Sequence, residues 1–294
     1  MKVLVSLCNK RPEVDQAPGV WLVECDTEAM TATPIPLPGL DFPSVGGVLG
    51  LAKDRDGIVA VLQGQSTALV WLTGSYDVRD VRPLQLAHAG HSIAVCDDRV
   101  FIASTGTDGI VEYDRTDGES THWSDNPDRQ DTIHLNSLLC NEGSLYFSAF
   151  GKKTGRPWST ADEGYVKQLG SGRAVFAPIF HPHSLTANGG HLYCCESARM
   201  SVHRSDGDCL VVGGGYVRGL VVRDRVLCVG VSRGRRRSRS TGKIVDNPAD
   251  AGELTDRCGI LVYHTRDGRL RGSTPTGWID LGEYSNEIYD LLAV

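Results

Sequence analysis

The chain lacks several of the features that most quickly assign a protein to a class. None of its apolar runs approaches the roughly 18 consecutive residues of a membrane-crossing helix. Its first residues, Met1-Lys-Val-Leu-Val-Ser-Leu-Cys8, carry one lysine and too short an apolar run for a secretory signal; they read as a strand. Positive charge is not in excess. The net charge is −6, which argues against a generic nucleic-acid surface. No Cys-x-x-Cys pair exists, so a thiolate zinc site has no support. The nine cysteines are odd in number and mostly sit inside apolar strands, as at Cys25, Cys96, Cys140, Cys194, Cys195, Cys209 and Cys228. They read as small reduced core residues of a cytoplasmic protein. No nucleophile-elbow motif is present, and Ser240-Thr-Gly-Lys243 lacks the glycine spacing of a phosphate loop. The 3.6-residue periodicity of an amphipathic helix is absent too, so helix should be scarce.

Short apolar strands and tight turns are abundant. The 34 glycines include the turn pairs Asp56-Gly57, Asp117-Gly118, Asn188-Gly189, Asp206-Gly207 and Asp267-Gly268, which supply the positive φ that hairpins need. A pattern recurs five times: a polar anchor, an apolar strand, a turn and a second apolar strand. It begins at His91, His134, His183 and Arg218, and its last instance is Glu287-Ile-Tyr-Asp-Leu at the C-terminus. Repeats of this size with four strands each specify an all-β, six-bladed β-propeller filling residues 1–294 as one domain. The sixth blade is assembled from both ends. Three N-terminal strands (Lys2 to Leu7, Gly19 to Cys25, Ala32 to Leu37) take the orphan strand from Glu287 to Val294, which would close the ring.

First strands of a propeller line the central channel, so the anchors should meet there. His91, His134 and His183 offer three imidazoles for a divalent ion, zinc first and iron, nickel or manganese otherwise, with an open position as in a catalytic centre. Glu287 or Tyr289 would move a proton, and Arg218 would neutralise an anionic group on a small-molecule substrate. Asn136 lies two residues after His134 and shares its face. A one-residue slip in register would exchange the faces. Loops after the second strands should roof the same mouth, and three of them are long: Cys8 to Pro18, Gly151 to Gly164 and Arg233 to Cys258. They bring Trp158 and Arg233 into reach as substrate contacts. The bland alternative is a metal-free reader or scaffold. In it the channel holds a column of ordered water, Arg218 pairs with Glu287 and the Arg233–Arg239 run is a solvated loop.

The second half resembles an uncharacterised bacterial propeller family, a domain of unknown function. The resemblance rests on Pro182-His183-Ser184, Val217-Arg218-Gly219-Leu220, Val229-Gly-Val-Ser-Arg233, Arg257-Cys258-Gly259-Ile260 and Glu287-Ile-Tyr-Asp290, and runs from about Ile133 to the C-terminus. It implies a fold and no activity. More distantly, the plan is similar to metal-dependent propellers: amidating lyases, gluconolactonases and strictosidine-synthase-like enzymes. The lyase resemblance implies His91, His134 and His183 as metal ligands and Arg218 as the substrate arginine. The lactonase resemblance implies a shell to which only Asn136 and Glu287 correspond. The expectation is therefore a metal-dependent lyase or hydrolase, or an isomerase.

Overall fold

A computed structural model describes residues 1–8, 20–38, 40, 46–64, 66–126, 128, 130–155, 158–233, 257–266 and 268–294. Most of the first and third long loops, the basic run after Arg233 and Asp267 lie outside the described residues. The chain is all-β. Short 3-10 turns at Thr105–Thr107, Trp158–Thr160 and Ser197–Arg199 are its helical elements among the described residues.

The first strands are β1 (Lys2–Cys8), β2 (Leu22–Asp26) and β3 (Thr31–Ile35), followed by β4 (Gly47–Asp54), β5 (Gly57–Gln63), β6 (Thr67–Leu72) and β7 (Val78–Pro83). Next come β8 (Gly90–Cys96), β9 (Arg99–Ser104), β10 (Gly109–Asp114) and β11 (Gly118–Ser124). The next antiparallel sheet holds β12 (Leu135–Asn141), β13 (Ser144–Ala149), β14 (Tyr165–Gln168) and β15 (Ala174–Phe176). Another holds β16 (Pro182–Asn188), β17 (His191–Glu196), β18 (Ser201–Arg204) and β19 (Cys209–Val211). The last is β20 (Tyr216–Arg223), β21 (Val226–Ser232), β22 (Gly259–His264) and β23 (Pro275–Asp280), followed by β24 (Glu287–Ala293). β24 pairs antiparallel with β1, from Val3 opposite Ala293 to Cys8 opposite Glu287. A single bridge, Cys8 to Gly47, links that group to β4.

The outermost strands are the least buried, and the strands inside them carry the core. β1 is buried along nearly its whole length, whereas the outer strands β7 and β11 are mostly exposed. Inner strands therefore read as continuous apolar runs, because a neighbouring sheet covers each face. The apolar core is divided between successive sheets. One cluster joins Leu4 and Leu22 to Val48 and Leu62, the next joins Leu49 and Val61 to Ile93 and Ile102, and another joins Phe101 and Ile110 to Leu138 and Phe147. Val166 and Ile179 meet Cys194, then Cys195 and Val202 meet Leu220 and Val229, and Cys228 and Ile260 return to Val3 and Val23. The inner strands adjoin in the same sequence: β4 against β8, then β12, β16, β20 and β24, with β24 lying against β4. Hairpin turns follow the local chemistry. Asn188-Gly189-Gly190 places both central residues at positive φ, 58° and 77°, and Asp97-Asp98 does the same without glycine at 49° and 63°.

One sequence-based expectation is corrected. Cys96 and Cys140 form a disulfide, with their Cα atoms 5.7 Å apart. They sit at the ends of β8 and β12, neighbours in space although 44 residues apart in sequence. The other seven cysteines carry free thiols, and burial pushes the thiols of Cys25, Cys228 and Cys258 up to about 12. Among the described residues no helix is long and apolar enough to cross a membrane.

Candidate functional site

The site is positioned by a defect shared by the inner strands. In β4, β8, β12 and β20 two residues stand opposite one on the partner strand: Leu49-Gly50, His91-Ser92, Asn136-Ser137 and Arg218-Gly219. β16 slips at Ser184, after His183, and β24 slips at Tyr289, before Asp290. Each is a β-bulge, which re-aims side chains and bends the strand. Equivalent positions on the six strands are therefore Leu49, His91, Asn136, His183, Arg218 and Tyr289. Two residues earlier lies a second level: Gly47, Ala89, His134, His181, Tyr216 and Glu287. Ala89, His134 and His181 share positive φ, at 49°, 53° and 51°.

This corrects the single ring of anchors expected from the sequence. His134 and Glu287 belong to the outer level, whereas His91, His183 and Arg218 belong to the inner one. His134 precedes β12 rather than opening it and is not among the residues lining the channel cavity, whereas Asn136 is, together with Ser137, Leu138, Leu139 and Cys140 after it. The cavity has a volume of about 460 Å³, and His91, His183 and Tyr289 line it as well.

The residue after each inner anchor ties the strands together. Ser92 Oγ accepts the Leu138 N–H at 3.1 Å, Ser137 Oγ accepts that of Ser184 at 2.7 Å, and Ser184 Oγ accepts that of Gly219 at 2.7 Å. Asp290 Oδ2 accepts the Leu51 N–H at 3.0 Å. Gly50 and Gly219 complete the set by close approach. A Cβ on Gly50 would stand 2.7 Å from the Ile93 nitrogen, and one on Gly219 would strike the Leu291 side chain. Burial pushes the Asp290 carboxyl up to about 7, against its two backbone donors, Leu51 and Leu291.

The mouth is aromatic. His134 packs against His91, Phe150 and Trp158 at ring separations of 5.4, 4.5 and 4.5 Å. Phe150 stacks on His181 at 4.4 Å and meets His183 edge-on at 5.1 Å. Tyr216 lies 5.3 Å from the His183 ring, and Tyr289 lies 5.6 Å from that of His91. The Arg218 guanidinium sits over both Tyr216 and Tyr289, 4.9 and 5.0 Å from their ring centres. Its Nη1 is 4.0 Å from Glu287 Oε2, an ion pair too long for a hydrogen bond. Burial opposes the Arg218 charge, but Tyr289, Tyr216 and Glu287 outweigh it and hold the group above its ordinary range.

The imidazoles of His91, His134 and His183 are each engaged at Nδ1. His91 Nδ1 lies 2.8 Å from the Ala89 carbonyl oxygen and His183 Nδ1 lies 2.9 Å from that of His181. A carbonyl oxygen can only accept, so Nδ1 is the protonated nitrogen of both. His134 Nδ1 is 3.2 Å from the Asp131 carboxylate. Ser197 Oγ, 2.8 Å from His183 Nδ1, adds a second support. Burial holds His183 well below the usual imidazole range and His181 down at about 4, so both are neutral at pH 7.

As a metal shell the three histidines do not fit. Phe150 packs against both His134 and His183, and the bulge puts His134 on a different level from the other two. Among the described residues no three His, Cys, Asp or Glu side chains gather around one point. Of the remaining expected contacts, Trp158 joins the aromatic layer, and its carbonyl oxygen lies 3.0 Å from His181 Nε2. Arg233 follows β21, where its backbone N–H donates to the Asn286 carbonyl at 2.9 Å. Glu287 lies 3.5 Å from the Cys8 sulfur. Sequence reasoning missed Phe150 and Tyr216. Tyr216 was within reach of an i, i+2 pattern, since it precedes Arg218 as His181 precedes His183.

Three buried polar atoms on consecutive strands have no hydrogen-bond partner among the described residues: Asn136 Nδ2, His183 Nε2 and Arg218 Nε. Such atoms are rare in folded proteins and call for a bound water or ligand.

The family profile of a domain of unknown function, DUF4915, matches residues 86–294. The chain belongs to that family. The match begins upstream of the Ile133 boundary expected from the sequence. No curated protein matches the chain. The structure is similar to a chain of a nidogen/laminin complex, with a TM-score of 0.64 and 11% identity over 99% of this chain and 97% of that one. It is also similar to a putative gluconolactonase (TM-score 0.46, 14% identity, 78% and 90% covered). A virginiamycin B lyase from Staphylococcus aureus gives a TM-score of 0.45 at 14% identity, with 82% and 87% covered. At these identities the likeness speaks for a propeller-like fold alone.

Proposed function

We propose that residues 1–294 form one closed six-bladed propeller and that its channel mouth is the site of a small-molecule enzyme, a lyase or hydrolase acting on an anionic substrate. The blade count is supported by the cyclic contacts of six inner strands, by the six apolar clusters between sheets and by the pairing of β24 with β1. Enzymatic function rests on one observation: polar atoms of Asn136 and His183, which line the 460 Å³ cavity, and of Arg218 on the next strand are buried without partners among the described residues. Left unmet, each such atom costs about 1–3 kcal/mol; in a scaffold ordered water would meet them, and in an enzyme the substrate takes that place. Arg218 docks the anionic group. Neutral His183, its Nδ1 fixed, presents Nε2 as a proton acceptor, and Tyr289 supplies a hydroxyl on the next strand. Phe150, Trp158 and Tyr216 pack on His134 and His183 and hold those rings in place.

A second reading keeps a divalent ion, zinc or else iron, nickel or manganese, at His91, His134 and His183. Its support is that each Nδ1 is already engaged, the outer-shell arrangement typical of metal-bound imidazoles. It requires Phe150 to move. Elemental analysis of untagged protein separates the two readings.

The test of the function is depletion of small molecules. A deproteinised cell extract is incubated with the wild type and with Arg218→Gln, and its anions are followed by mass spectrometry. The proposal expects at least one anion consumed by the wild type and spared by the variant. An extract left unchanged by the wild type contradicts it.

A further inference from the structure

The three unpartnered atoms differ in kind, and the difference specifies a ligand. Asn136 Nδ2 and Arg218 Nε can only donate. His183 Nε2 can only accept, because Nδ1 carries the ring proton toward the His181 carbonyl. Both side chains flanking the channel on β12 and β16 are almost fully buried, Asn136 at 2% and His183 at 1% exposure. A molecule that satisfies all three must therefore offer one hydrogen-bond donor beside acceptor oxygens, and the Arg218 charge favours those oxygens being anionic. A plain carboxylate leaves His183 Nε2 empty. A plain alcohol leaves the arginine unanswered. Tyr289 and His91 line the cavity that Asn136 and His183 face, and much of the remaining wall is apolar, with Leu51, Ile93, Leu138 and Leu220.

We infer that the site takes a 2-hydroxycarboxylate with an apolar, ring-bearing substituent. Its carboxylate accepts from Asn136 Nδ2 and Arg218 Nε, its hydroxyl donates to His183 Nε2, and its ring packs in the cavity against Tyr289, Ile93 and Leu138. This rests on the small-anion reading above and adds to it the hydroxyl and the apolar substituent.

Titration calorimetry at pH 7 with mandelate and phenylacetate tests it, since the two differ by the hydroxyl. The wild type should bind mandelate about tenfold more tightly, the worth of one hydrogen bond to a buried acceptor. In His183→Phe the two should bind alike, with phenylacetate affinity kept. Should that variant not fold, Asn136→Leu serves: it should weaken both ligands by a similar factor and leave the preference in place. Equal binding of the two by the wild type overturns the inference while leaving the anion site standing. So does unchanged affinity in Asn136→Leu. Absence of binding by either at millimolar concentration also overturns it. The extract experiment then judges the broader function separately.

Discussion

Adjacent residues on the same strands meet opposite fates in this channel. Ser137 and Ser184 are satisfied: each hydroxyl accepts a backbone N–H from the next strand at 2.7 Å. Their immediate predecessors, Asn136 and His183, each keep a buried atom without a partner among the described residues. One position of the bulge is given to holding strands together. The other is left with capacity that the fold does not use. A buried polar group left unsatisfied calls for a bound water or ligand to complete it, and local rules are often broken where function sits. The contrast also explains why glycine can replace serine at the first kind of position. Gly50 and Gly219 substitute close backbone approach for a hydroxyl bridge.

The largest expected effect concerns those glycines. Gly50→Ala places a Cβ within 2.8 Å of Ser92 Cα, backbone that cannot swing aside. It should destabilise the fold by about 3 kcal/mol in urea unfolding. A change under half that size would mean that the strands are not tied at this level. Next is Ser137→Ala, which strands the part-buried Ser184 N–H and should lower stability by about 2 kcal/mol.

A pH-dependent effect separates Asp290 from the serines with which it shares a level. Its carboxyl titrates at about 7 when folded and near 3.8 otherwise. The raised folded value means that the protonated form is preferred in the native state. Its contribution to stability is complete below about 3.8 and is lost as pH rises through about 7. The histidines act in the opposite sense. His181, lowered from 6.5 to about 4, contributes stability above 6.5 that is lost as pH falls toward about 4. Asp290→Ser should therefore gain stability relative to the wild type as pH rises from 4 to 7. A difference that is flat with pH would show that Asp290 is ionised without penalty.

Much of this fold is legible in the sequence, because its determinants are local. Asn188-Gly189-Gly190 announces a hairpin, and the apolar runs of β1 and β5 announce strands covered on both faces. The levels of the site were harder to see. His134 and Asn136 both look like anchors, and only the bulge opposite Ser148 decides that Asn136 faces the channel. A bulge inserts one residue without changing the alternation on either side, so hydropathy does not reveal it. A signal was nonetheless present: His91-Ser92, Asn136-Ser137 and His183-Ser184 share the serine that makes the next bridge. The Cys96–Cys140 disulfide depends on β8 and β12 being spatial neighbours, which spacing along the chain does not disclose. Phe150 and Trp158 come from a loop, where no periodicity orients a side chain.

The most direct measurement is the unfolding free energy of Asn136→Leu, compared with that of Ser137→Ala. Leucine fills the same space and removes the unpaired Nδ2 donor, at the loss of one acceptor, Asn136 Oδ1, which takes the Ser137 hydroxyl at 3.1 Å. If Asn136 belongs to the site and not to the fold, the change should lie within about 1 kcal/mol of the wild type, while the neighbouring alanine loses about 2 kcal/mol. A loss at Asn136 as large as the one at Ser137 would show that the asparagine holds the channel together, and the division between the two positions would fall.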